Sequence, residues 1–82
     1  MGVTEDMADQ LAQDVIKYIE ATGDEDVVSD MIKLLGASSQ TAEEAFLTSL
    51  RVRRANMKAR AMLMERARKF QQDNSPGTAD KG

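Results

Sequence analysis

From Met7 onward, apolar residues return at Leu11, Val15, Tyr18 and Ile19, at intervals of four, four, three and one. That rhythm is one face of an amphipathic helix, and Ile16 widens it. Thr4 is a candidate N-cap, with Glu5, Asp6 and Asp9 at the positive end of the helix dipole. Gly23 stands where a left-handed residue would end the helix. The first predicted helix covers about 5–22.

A second stripe follows in Val27, Val28, Met31, Ile32 and Leu35, broadened by Leu34. Asp24 can cap it, and Gly36 is the expected stop, giving a helix over about 25–35. A helix this short is marginal in water and must be docked on something else.

Ala37-Ser38-Ser39-Gln40 reads as a polar connector, and Thr41 with Glu44 matches a capping box. From there to about Gln72 neither Pro nor Gly occurs, and strong helix formers fill most positions. The third predicted helix spans about 42–72, roughly 45 Å at about 1.5 Å per residue. The pattern therefore predicts an all-α protein, a short N-terminal helical hairpin packed on one long C-terminal helix. Residues 1–72 form one helical domain, and 73–82, with Pro76, two glycines and polar residues, form a disordered tail.

The long helix carries two apolar stripes. With Phe46 at 0° and about 100° per residue, Leu50, Met57, Ala61 and Met64 fall between about 0° and 60°. Val52, Ala59, Leu63, Ala67 and Phe70 fall between about 220° and 300°. Arg53 and Arg60 lie in the gap, where their aliphatic stems can cover both stripes. One stripe is expected to take the hairpin. The other, Val52, Ala59, Leu63, Ala67 and Phe70, is the candidate partner interface. Arg51, Arg54, Lys58 and Lys69 make a basic face on the far side. The heptad is too irregular for a long uninterrupted coiled-coil seam.

Charge sharpens this picture. Residues 1–44 hold eleven acids and two bases, and residues 45–82 hold nine bases and three acids. A net of −9 thus faces a net of +6 inside a chain whose total is −3. Eight bases and one acid between residues 51 and 69 would attract phosphate. No aromatic side chain interleaves them as a stacking platform, and the acidic half opposes the approach of phosphate. Nucleic-acid binding is therefore the second reading, after pairing of the two halves within or between chains.

Composition removes most catalytic chemistry. There is no Cys and no His, so disulfides, thiolate metal sites and the commonest general base are absent. Asp24, Glu25, Asp26 and Asp30 suggest calcium, but Val27 and Val28 break the alternate-ligand spacing of a calcium loop. Ser38, Ser39 and Thr41 lack an activating base and a glycine-rich phosphate loop. No catalytic, cofactor-binding or metal-ligating residue is predicted, and no cofactor. A basic amphipathic helix with Met57, Met64 and Phe70 can also lie on anionic membranes, although core formation explains the same spacing. No run approaches a membrane span, and no basic leader precedes an apolar stretch. The expectation is a cytoplasmic, non-catalytic protein–protein interaction module, an adaptor, regulator or assembly chaperone, that associates with itself or a protein partner. Six methionines, counting Met1, can mark an adaptable binding surface, but methionine at helical spacing is more often core.

Overall fold

In the computed structural model, which describes residues 2–74, three helices follow one another: α1 (Val3–Thr22), α2 (Asp26–Ser38) and α3 (Gln40–Asn74). The predicted all-α architecture, a short hairpin against one long helix, is the observed one. Thr4, Met7 and Ala8 of α1 share a groove with Ala42, Asp9 meets Arg53, and Ile16 and Glu20 border Met57. α1 and α3 thus run parallel. Leu35 lies toward the start of α3 and Glu25 meets Arg54, so α2 runs antiparallel to both.

The turns show where local chemistry decided the boundaries. Gly23 ends α1 at φ 77°, and its N–H donates to the Ile19 carbonyl at 2.7 Å. This is the left-handed termination expected there. Asp24 then accepts from the Asp26 amide through Oδ1 at 3.1 Å and from the Tyr18 hydroxyl through Oδ2 at 2.9 Å. Two oxygens of one carboxylate hold the α1–α2 turn.

Other expected boundaries are corrected. Thr4 lies inside α1, whose N-cap is Gly2. Gly36 does not stop α2, which continues to Ser38. A glycine in a helix costs about 0.5–1 kcal/mol relative to Ala but does not forbid it. The four-residue connector shrinks to Ser39, extended at φ −160° and ψ 114°. Its N–H closes α2 on the Leu35 carbonyl, and its Oγ accepts from the Ala42 amide. Ser39 therefore replaces Thr41 as the cap of α3, and the Thr41–Glu44 capping box does not form. At its far end α3 takes in Asp73 and Asn74, which were expected in the tail. The tail from residue 75 lies outside the described residues.

The core is small: Ala8, Ala12 and Val15 of α1 against Phe46 and Leu50 of α3. Leu11, Ile16, Ile19, Val27, Val28, Met31, Ile32 and Leu35 pack around it, half-buried. The α1 stripe is rotated from the expected one. Ala8 and Ala12 face α3, where small side chains let the backbones approach. Met7 and Tyr18, which begin and nearly end the expected apolar stripe, are exposed, as is Leu34 of α2. Phe46, fully buried, fills the space the alanines leave. Complete burial of such a side chain stabilises by about 1.5–3 kcal/mol.

Only the first part of α3 is covered. Met57 and Lys58 still border the hairpin at Ile16, Ile19 and Glu20. From Ala59 through Asp73 every residue is exposed, about 23 Å of helix. The principal extents of 65 × 30 × 13 Å and a radius of gyration of 19.0 Å record this projection. A compact chain of this length would have a radius near 12 Å.

Candidate interaction surface

The surface is built from α3 outward. Leu50 and Phe46 commit one line of the helix to the hairpin. Its continuation, Met57, Ala61 and Met64, runs past the hairpin and is exposed. The expectation that this whole stripe is core is therefore corrected: α1 and α2 are too short to reach beyond Lys58. The second stripe is exposed along its length, from Val52 through Ala59, Leu63 and Ala67 to Phe70. Leu63, Met64 and Phe70 are 64%, 71% and 67% exposed. The candidate interface residues thus lie on one accessible face.

Charged contacts fix where this face begins. Arg53 donates from Nε to Asp9 Oδ1 and from Nη2 to Asp9 Oδ2, both at 2.6 Å. Gln13 Nε2 adds a third donor to Asp9 at 3.3 Å. The Arg53 guanidinium holds the Asp9 carboxyl below its ordinary range, partly offset by desolvation, and Asp9 in turn raises Arg53. One helical position further, Arg54 donates to Glu25 of the α1–α2 turn at 2.9 Å. Arg53 thus reaches α1, and Arg54 the turn between α1 and α2. Sequence reasoning placed Arg53 between the stripes but did not find its partner, because a pair 44 positions apart leaves no local signal. Tyr18 is pushed up by the Asp24 carboxylate it donates to.

The basic face is not one uniform array. Arg54 belongs to the hairpin contact, while Arg51, Lys58 and Lys69 are exposed. Arg68 pairs with Glu65 one turn back, and Arg60 donates to Asn56. Grooves flank the body, and two of them border the candidate residues or their hairpin. One, of about 500 Å³, lies between α1 and α3 beside Ile16, Val52, Asn56 and Met57. The other, of about 490 Å³, opens at the opposite end between Met7, Leu11, Leu35 and Ala42. Sequence reasoning missed this second groove, since it placed Met7 and Leu35 on the apolar stripes of two separate helices.

Among the described residues, no group of three or more acidic, His or Cys side chains could hold a metal ion. Nor is any helix there long and apolar enough to cross a membrane. The described residues thus form three helices, with a basic, apolar-striped helical arm projecting from an acidic hairpin. Comparison with protein-family models, curated proteins and solved structures finds no match to it.

Proposed function

We propose that the protein is a small non-catalytic protein–protein interaction module, an adaptor, regulator or assembly chaperone, working through the projecting part of α3. The observation that carries this reading is the run of Leu63, Met64 and Phe70, each about two-thirds exposed, on a helix that outlasts its own hairpin. An exposed helical segment gains little from propensity alone, and helices in proteins draw most of their stability from covering an apolar face. Total accessible area supports the same view. It is 6317 Å², against about 4,900 Å² for a compact chain of this mass. Apolar anchors would supply affinity, and the acidic–basic division would set orientation and reject wrong partners. The proposed setting is the cytoplasm, which suits a chain that uses no disulfide.

The test is recovery of the protein from its native source, with the mass of the intact complex measured under non-denaturing conditions. Additional mass made of protein is the expected result. A bare monomer, with the amides of residues 59–73 exchanging freely at every concentration, would overturn the reading. Additional mass made of nucleic acid would move the protein to the second reading, through Arg51, Lys58 and Lys69.

A further inference from the structure

We infer that the projecting arm of α3 is covered by the same arm of a second copy, antiparallel, with Leu63 on the two-fold axis. This rests on the interaction reading above and names its occupant.

Three observations select that occupant. The first is which stripe clears the body. A helix laid on the Met57–Met64 line would run into the ends of α1 and α2, because that line continues the buried Phe46–Leu50 line. The Val52–Ala59–Leu63–Ala67–Phe70 line has no such obstruction. Val52 is already exposed where its neighbour Arg53 is still tied to α1. A helix on this line can therefore extend along α3 past the hairpin.

The second is the symmetry of the line. About Leu63, Ala59 of one copy falls opposite Ala67 of the other, four positions to either side. Small residues flank a large one in both directions, so the helices can close on the leucine pair. Further out, Phe70 comes level with Asn56, beside the groove lined by Ile16, Val52 and Met57. A symmetric, self-complementary patch is what a two-fold interface requires.

The third is charge. Residues 1–39 hold nine acids and two bases, and Lys58 to Asn74 hold five bases and two acids. A parallel pair would set two acidic hairpins side by side. The antiparallel pair separates their midpoints by about 45 Å, taking about 1.5 Å per residue. That is several times the screening length of about 8 Å at physiological salt. A standard interface takes about 800 Å² from each partner, and the exposed line from Val52 to Phe70 runs about 27 Å along the helix.

The chain has no cysteine, so single substitutions give unambiguous crosslinks. Sedimentation of the full chain at about 100 µM should give twice the monomer mass. Ala59→Cys and Ala67→Cys variants, one isotopically heavy, are then mixed and treated with a short bis-maleimide. The expected product is the mixed 59–67 dimer, in excess over either same-site dimer. Dominant 59–59 and 67–67 products would mean a parallel pair and overturn the inference. A monomer in sedimentation would overturn it too. If the protein from its source still carried a different protein partner, the interaction reading would stand without this occupant.

Discussion

Asp9 and Arg53 meet through two parallel hydrogen bonds of 2.6 Å, joining α1 to α3 where the covered part of the long helix ends. The planar guanidinium matches the carboxylate in a way an ammonium group cannot. Asp9 is held below its ordinary value of about 3.9. A depressed folded value means its stabilisation is present above the unfolded value and is lost as pH falls through the folded one. Urea midpoints of the wild type should therefore exceed those of Asp9→Asn at pH 7 and pH 5. The gap should close below pH 4. A gap that persists unchanged at pH 2.5 would show that the pair contributes through shape alone. Arg53→Lys should fall between the two at neutral pH.

Ala12 is fully buried against the α3 contact, so its size sets how closely the helices approach. Ala12→Leu should destabilise by about 1–3 kcal/mol through overpacking. Phe46→Ala leaves a cavity in the same place and should cost about 3–5 kcal/mol, enough to leave much of a core this small unfolded. Thermal unfolding followed by helical circular dichroism checks both. An Ala12→Leu protein as stable as the wild type would mean the helices can move apart without loss.

Two glycines should respond in opposite ways. Gly23 sits at φ 77°, where a side chain is strained, so Gly23→Ala should destabilise by about 1–2 kcal/mol. Gly36 lies inside α2. A Cβ there would meet Glu43 Oε1 at 2.6 Å, the far end of a flexible side chain that can swing aside. Gly36→Ala should then stabilise by about 0.5–1 kcal/mol. Equal effects of the two substitutions in chemical denaturation would contradict these backbone assignments.

The contrast between these glycines shows what was legible. Gly23 worked as a stop because it followed the last residue of a strong stripe and preceded Asp24, which could start a new helix. Gly36 offered the same local sign, but Ser39, three residues on, ends α2 and caps α3 together. Three helices and their order followed from periodicity. Which face of α1 is buried did not. Hydropathy favours Met7 and Leu11 over Ala8 and Ala12, whereas close approach of Phe46 favours the alanines. On α3 both apolar stripes were visible. That the first is only half covered depends on the hairpin's reach in space, which no periodicity encodes.

Leu63 and Leu50 separate the proposed interface from the core. Leu50 is buried, and a carboxylate there would lose its hydration without a partner. Leu50→Glu should abolish cooperative unfolding. Leu63→Glu should keep the hairpin core intact, shown by an unchanged near-ultraviolet signal from Tyr18, while sedimentation falls to the monomer. Met64→Glu, on the neighbouring line, should leave association within about threefold of wild type. If Met64→Glu dissociates the protein and Leu63→Glu does not, the seam lies on the continuation of the core stripe instead.

Salt and nucleic acid test the charge division together. Raising salt from about 0.05 M to 0.5 M shortens the screening length from about 14 Å to about 4 Å. Association should slow, because the basic arm no longer feels the acidic hairpin at a distance. The melting temperature should move little, since the core of Phe46, Leu50 and Val15 is apolar. A large fall in melting temperature would show that charge holds the hairpin to α3. Under the same conditions, no appreciable binding to duplex or single-stranded oligonucleotides is expected near 0.15 M salt. Arg54 and Arg68 already meet Glu25 and Glu65, and the hairpin's acids repel phosphate from the remaining bases. Sub-micromolar binding at that salt would refute this expectation if it were lost on neutralising Arg51, Arg54, Lys58 and Lys69 together and its salt dependence flattened. It would establish the basic face as a phosphate-binding line and the arm as a nucleic-acid contact.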